Sequence, residues 1–292
     1  NIAELVNGGK TDINITLDTD IDLTGKDWTP IGTDYDNSYK GTFDGGGHTI
    51  TGLTFTTNDE FAGLFGWLNR AGTVKNVVME GVQITSNQIY GGSIGGVVGY
   101  SWGTIENCSV SGSVSGTVYV GGVVGAQIGG SITGCSSSAT VKGTVDVGGV
   151  AGQTNSSATL TACYATGNVI IEMDPKKNIA GGGLVGMNAG SSLLACYATG
   201  NVTSTGSSTG YMHIGGFLGN NYTTVTACYW KNNHEQGIGY NTKSTKATEV
   251  TKVDGTSVTW ENAVDAMNTA LQNAGSKWRY ELKGALPTLR KQ

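Results

Sequence analysis

Gly182-Gly183-Leu184-Val185-Gly186, and then Cys196-Tyr197-Ala198-Thr199-Gly200-Asn201-Val202, are the two phrases that decide the fold, because both recur along the chain. The first returns as Gly63-Leu64-Phe65-Gly66, Gly96-Val97-Val98-Gly99, Gly122-Val123-Val124-Gly125, Gly149-Val150-Ala151-Gly152 and Gly216-Phe217-Leu218-Gly219. Leading glycines at 63, 96, 122, 149, 183 and 216 give separations of 33, 26, 27, 34 and 33 residues, a short unit that sometimes carries an insertion. The second phrase appears verbatim from Cys163 to Val169 and more loosely from Cys108 to Val114. Cys108, Cys135, Cys163, Cys196 and Cys228 stand 12, 13, 14, 13 and 12 residues past their own leading glycine, and Val77 stands 14 past Gly63. A repeat of this length that fixes one small apolar residue per unit is the signature of a stacked architecture.

Within each unit, short runs such as Thr104-Ile105-Glu106-Asn107-Cys108 alternate with period two and end at Gly or Asn, which reads as strands joined by sharp turns. One unit cannot bury its apolar face alone. Stacked on its neighbours, it pairs each strand in parallel with the rungs above and below, about 4.8 Å away. The expected fold is therefore all-β, a right-handed parallel β-helix, with glycine giving positive φ at the corners and close backbone approach.

The chain reads as one elongated unit: an N-terminal β cap and first rungs over 1–60, the repeat stack over 61–230, and a C-terminal cap over 231–292. In the first, Leu17, Thr19, Ile21 and Leu23 alternate with Asp18, Asp20 and Asp22, and Gly41 to Ile50 adds a tight glycine turn. In the last, Trp260, Ala263, Val264, Met267, Ala270 and Leu271 recur at helical spacing, with Thr259 as N-cap and Gly275 just past the end, so one amphipathic helix is expected near 260–273. The helix and the segment from Trp278 to Leu289 are assigned to covering the open end of the stack, because unpaired edges invite aggregation.

Composition narrows the function. There are 48 Gly, 3 Pro and only 13% charged residues, against about 25% in an ordinary domain. The net charge of -5, with no basic run longer than a pair such as Lys176-Lys177, argues against nucleic acid and anionic membrane as partners. No run approaches the roughly 20 apolar residues of a membrane span, and no signal peptide opens the chain at Asn1. A monomer is expected.

The Gly-Gly-Leu-Val-Gly phrase with Cys-Tyr-Ala-Thr-Gly-Asn-Val resembles the GLUG repeat of secreted and cell-surface bacterial proteins, over about residues 61 to 230. Asp20 to Leu23, Trp28 to Gly32 and Gly41 to Gly45 resemble the stretch that often precedes such repeats in surface proteins of gut bacteria. The resemblance implies a parallel β-helix, an extracellular or bacterial cell-surface setting and an adhesin-like role, with no catalytic residues to carry over. Some relatives join the repeat to an immunoglobulin-cleaving metallopeptidase; this chain has no His-Glu-x-x-His.

Candidate sites follow from residue type and placement. Five cysteines, one per unit with Val77 substituting, read as a core ladder of buried thiols acting as small hydrophobes rather than as disulfides. No metal is expected: a ladder does not converge on one ion, and Asp18, Asp20, Asp22 and Asp27 lack the glycine and closing glutamate of a calcium loop. No phosphate-binding loop is present and no cofactor is expected. Glycoside cleavage needs two carboxylates about one bond, whereas Gly91 to Tyr229 holds only Glu106, Asp146, Glu172 and Asp174. Asp146, Glu172, Asp174 and His213 are the residues that a polysaccharide hydrolase or lyase would use.

The insertions are better placed for recognition, because loops vary where rungs cannot. They carry Gln88 and Tyr90, then Met173, Asp174, Lys176 and Lys177, then Tyr211, Met212 and His213, and stacking puts all three on one flank. Tyrosine with amide, carboxylate and imidazole suits sugar rings. Tyr164, Tyr197 and Tyr229, directly after their cysteines, turn outward by alternation and form a possible exposed aromatic stripe. The expected function is a non-catalytic extracellular module that binds a host or environmental glycan or a surface protein. A polysaccharide-active enzyme and a plain stalk are the rivals.

Overall fold

The strands, most of them two to five residues long, cannot satisfy their backbone within a rung, so N–H and C=O groups look to the rung on either side. A computed structural model, which describes residues 1–242 and 250–292, shows the result; residues 243–249 of the expected C-terminal segment lie outside the described residues. Two sheets of 13 strands and one of 6 wind as a parallel β-solenoid of about seven turns. Every strand pair is parallel except Trp278–Glu281 with Thr288–Lys291, a C-terminal hairpin. Register puts like on like: Val74, Ile105, Ile132, Leu160, Leu193 and Val225 form one buried column down the interior.

The cysteine column lies inside as expected. All five sulfurs and Val77 are buried. Cys135 Sγ accepts the N–H of Cys108 at 3.4 Å, Cys196 Sγ that of Cys163 at 3.5 Å, and Cys228 Sγ that of Cys196 at 3.4 Å. Burial pushes the Cys135 and Cys163 thiols well up, so they are protonated and serve as small core groups. A second buried column, Thr154, Asn188 and Asn221, runs hydrogen bonds along the axis, with Asn188 Nδ2 3.0 Å from Asn221 Oδ1.

Positive φ falls on glycines as expected, Gly81, Gly112, Gly130 and Gly190 among them, but at the cysteine corner mostly on other residues. The residue before each cysteine turns the corner in the left-handed region, at Asn76, Asn107, Gly134, Ala162, Ala195 and Ala227. The phrase glycines are required for close approach, as expected: a Cβ on Gly152 would lie 2.4 Å from Val120 N, and one on Gly186 2.4 Å from Val147 N. Two neighbouring faces therefore meet at a corner too tight for any side chain.

Both chain ends differ in part from expectation. The N-terminal segment includes a short helix, α1 (Ile2–Asn7), whose Ala3 and Val6 are buried and whose Asn7 side chain bonds Pro30 O at 3.1 Å and Gly32 N at 2.8 Å. The C-terminal helix α2 (Trp260–Asn273) is present with its Thr259 cap, closed reciprocally by Asn262, and Gly275 follows with φ 69°. Its apolar face does not cover the end of the stack. Helix and hairpin lie along the flank, over the cysteine corners: Trp278 packs on Gly134, Tyr280 Oη donates to Ala195 O at 2.8 Å, and Lys291 pairs with Glu106.

That placement corrects the exposed tyrosine stripe. Tyr197 is fully buried and Tyr229 nearly so, within a cluster that includes Trp260, Met267, Leu271 and Tyr280. Alternation does send these side chains away from the interior, but the C-terminal segment covers them. Tyr164, half-buried at the margin, stacks on Tyr197 at 4.8 Å and 2°. Replacing Tyr197 with Ala is expected to cost about 3–5 kcal/mol, and Tyr164→Ala about 1 kcal/mol, in urea unfolding monitored by near-ultraviolet circular dichroism. Equal small losses would mean that the flank is not packed as described.

Candidate functional site

The glycine corner that admits no Cβ also shapes the outside. Across it, the six-stranded face presents a column of Ser93, Tyr119, Asp146, Ala180 and His213. The adjoining face presents Trp67, Tyr100, Ala126, Gln153, Met187, Asn220 and Tyr240. Because the corner is tight, the two columns face each other as walls of a groove that runs with the axis. Its C-terminal half encloses about 610 Å³, lined by Tyr119, Asp146, Gln153, Met187, Tyr211, His213, Asn220, Tyr222 and Tyr240 among others.

His213 is the centre of this half. Its ring lies between Tyr211, 5.7 Å away at 22°, and Tyr240, 4.6 Å away at 16°, and Tyr222 approaches Tyr240 edge-on at 6.5 Å. Nδ1 of His213 and Oδ1 of Asn220 are both buried with no hydrogen-bond partner, an arrangement that costs about 1–3 kcal/mol per group. A hydroxyl-bearing ligand would satisfy both. Tyr211 and Tyr240 stand partly out of the wall, Tyr211 at 69% exposure, offering ring surface to an apolar face.

Asp146 sits deeper on the floor, 6% exposed, and its carboxyl has no partner among the described residues. Burial pushes its pKa up to about 7. The adjacent Tyr119 phenol is raised too, first by burial and then by the charge of Asp146. Asp146 and His213 share the wall two rungs apart, on the order of 10 Å along the axis. Among the described residues no second carboxylate lines this half of the groove.

Of the residues singled out in the sequence, Tyr211, His213 and Asp146 are therefore brought together. The second and third insertions stack on each other: Thr209 Oγ1 donates to Pro175 O at 2.6 Å, Ser208 Oγ to Lys177 O at 2.8 Å, and Tyr211 N to Asn178 Oδ1 at 3.1 Å. Asp174 accepts Lys176 N at 2.9 Å in a turn outside the groove wall, where Lys176 is exposed and Asp174 and Lys177 are half-buried. Glu172 pairs with Lys142 at 2.7 Å, also away from the groove. Gln88 and Tyr90 occupy a separate loop nearer the N-terminal end, where Gln88 Oε1 accepts Tyr90 N at 3.2 Å and Tyr90 is 81% exposed. The acidic residues near the N-terminus are occupied locally, Asp20 by Thr49 N at 2.9 Å and Asp22 by Thr24 N at 2.9 Å. Among the described residues no cluster of His, Cys, Asp and Glu could hold a metal ion, and no helix is long and apolar enough to cross a membrane.

Tyr119, Gln153, Met187, Asn220, Tyr222 and Tyr240 complete the groove and were not singled out in the sequence. A signal existed for one wall. Trp67, Tyr100, Ala126, Gln153, Met187 and Asn220 each stand four residues past a leading glycine, an outward position that varies while its neighbours repeat.

Comparison with known proteins agrees with the architecture. The GLUG motif matches residues 90–115 and 116–142, so the chain carries GLUG repeats. Halomucin of Haloquadratum walsbyi is 39% identical over 102 residues, 35% of this chain and 1% of halomucin. A candidate Gly-rich membrane protein of Evansella cellulosilytica is 37% identical over 100 residues, 31% of this chain and 11% of that protein. The chain thus spans a small fraction of the length of these relatives. A crystal structure of a candidate immunoglobulin A1 protease from Bacteroides ovatus superposes with a TM-score of 0.71 at 19% identity, over 99% of this chain and 89% of that one, a likeness of fold.

Asp146 makes stability depend on pH in a definite direction. Its carboxyl moves from 3.8 in the unfolded chain to about 7 in the fold, so between those values the folded state retains a proton that the unfolded state has released. Stability therefore falls as pH rises through this window, by up to about 4 kcal/mol. Asp146→Asn is expected to match the wild type near pH 3.5, to lack the fall, and to be the more stable form at pH 8. Urea midpoints measured across pH 4–8 for both proteins test this, and parallel curves would refute it.

Proposed function

We propose that this GLUG-repeat chain is a non-catalytic, adhesin-like module of a cell-surface protein, whose glycine-corner groove binds glycan. The observation that carries the reading is the set of His213 Nδ1 and Asn220 Oδ1, buried and unpartnered on facing walls, beside the rings of Tyr211 and Tyr240. A sugar presents both things that this set lacks: hydroxyls, which donate to Asn220 Oδ1 and either donate to or accept from His213 Nδ1, and a C–H face to lie on tyrosine. The floor and walls are rungs held on both sides by backbone ladders, so the site is pre-formed and ordering it on binding costs little. An extracellular setting fits the low charge and the named membrane and mucin relatives.

A second reading, a polysaccharide-active enzyme, has one observation in its favour: Asp146, with its raised pKa, shares the groove with His213. Glycoside hydrolysis by paired carboxylates needs a second acid within about 5–10 Å, and Glu172 and Asp174 lie outside the groove. Binding without turnover is the better supported reading.

A glycan array with the whole chain, followed by calorimetry on the strongest hit, is the test. Tyr240→Ala and His213→Ala are expected to weaken that binding at least about tenfold, and Tyr90→Ala to leave it unchanged. Retention of affinity in both groove variants would remove the groove as the site. The bound glycan should be recovered intact; new reducing or unsaturated ends that vanish in Asp146→Asn would establish the enzyme instead.

A further inference from the structure

The groove does not end at Tyr119. Toward the N-terminal end its wall continues as an aromatic cluster: Trp67 meets Phe61 at 4.8 Å, Tyr100 at 4.5 Å and Tyr35 at 6.0 Å. Beyond it, Tyr35, Trp67, Asn69, Arg70 and Trp102 line a second hollow of about 390 Å³. Arg70 is the distinctive member. Its guanidinium lies 5.3 Å from the Trp102 ring, and among the described residues it is the one arginine with no hydrogen bond or ion pair to the chain. Arg279 is held by Ser276 O and Trp278 O, and Arg290 pairs with Glu281.

Arg70 is also held in place by its backbone. It sits in the turn from Asn69 to Gly72, closed by Gly72 N to Asn69 O at 2.8 Å, while Asn69 Nδ2 bonds Ser38 Oγ at 3.0 Å and Asn69 N bonds Tyr39 O at 2.9 Å. Asp34, next to Tyr35 in the chain, has its carboxylate taken by Asn37 N at 2.9 Å and the Thr33 hydroxyl at 3.0 Å. Tyr35, at 70% exposure, leaves its ring to solvent across the hollow. A fixed turn thus presents a guanidinium stacked on one ring, with its N–H edge uncommitted and further aromatic surface beside it.

We propose that this hollow is a second glycan subsite, selective for a carboxylate-bearing sugar such as a hexuronate or a sialic acid. The planar fork of arginine donates two parallel hydrogen bonds to a carboxylate, and Trp67 and Tyr35 supply the surface on which the ring lies. In a chain of net charge -5, this arginine is what would draw an acidic sugar to the groove. The inference takes from the preceding section only that the ligand is a sugar. Trp67 and Asn220 are five rungs apart in register, on the order of 24 Å, so the two sites are separable by mutation.

Calorimetric titration of the whole chain with tetragalacturonate and with sialyllactose, each beside its carboxyl-reduced form, tests the proposal, with tryptophan fluorescence as a second readout from Trp67 and Trp102. At least one acid is expected to bind about tenfold tighter than its reduced form, with Arg70→Ala abolishing the preference and Arg70→Lys keeping part of it. His213→Ala should leave the preference intact, and its loss there would assign acid recognition to the other end of the groove and overturn the proposal. Equal binding of acid and reduced forms, or a preference that survives Arg70→Ala, would also overturn it. Arg70-dependent binding of poly-glutamate without binding of either sugar would make the ligand an acidic peptide and refute the sugar assignment.

Discussion

The backbone ladder between successive rungs governs everything else in this molecule. With parallel strands at a fixed spacing of about 4.8 Å, a residue's neighbours along the axis are its counterparts in the units on either side, so the chain has little freedom to mix sizes down a column. Cys over Cys, Tyr over Tyr and Asn over Asn follow from this. The constraint is strongest at the glycine corner, where two faces approach until a Cβ on Gly152 or Gly186 would overlap the backbone of the neighbouring face. A methyl group there would have to push two sheets apart. The outer groove is the other side of that contact, since faces that meet closely at the corner leave their outward residues facing each other.

Reading the sequence reached the parts of the fold that depend on local period and on the ladder. The cysteine spacing, with Val77 in the same place, led to the interior column, and the spacing of Trp260, Val264, Met267 and Leu271 led to α2. What it did not reach depends on where α2 lies, which no period encodes. Tyr197 and Tyr229 alternate outward as expected, yet outward is not exposed when a helix lies across them. A trace of that cover does exist in the corner residues. Where the corner is open, Asn107 and Asn76 bond one another at 2.8 Å and Asn76 bonds Asp44 at 2.9 Å; under the C-terminal segment the same left-handed position is held by Gly134, Ala162, Ala195 and Ala227. Asparagine suits this backbone region and alanine does not, so alanine in three successive rungs marks a corner whose polar side chain had to be given up for burial.

The candidate site was legible only in pieces for a related reason. Tyr211 and His213 were found through the insertion that carries them, and Asp146 as one of few acids in the stack, but nothing in the sequence said that they share one wall. That follows from register, which aligns Asp146 with Ala180 and Ala180 with His213. The opposite wall comes from residues that sit inside the repeat itself, four past each leading glycine, and repeats direct attention to what is constant rather than to what varies. Lys176, Lys177 and Asp174 drew notice because charge is rare here, and the structure places them in a turn outside the groove wall.

The same scarcity of charge gives the groove its chemistry. A carboxyl buried among neutral rungs has no cation to hold it ionised, so Asp146 rises to about 7 and is largely a neutral hydrogen-bonding group in mildly acidic surroundings. At the far end Arg70, with no carboxylate of the chain to claim it, keeps its donors facing outward. In a protein of ordinary charge density both groups would be expected to find partners at home. The low charge that a stacked, mostly apolar and hydroxylated rung requires is thus also what leaves its few polar groups available to a ligand, and because the rungs differ mainly in their outward columns, the order of those columns along the axis sets the order in which a bound chain would be read.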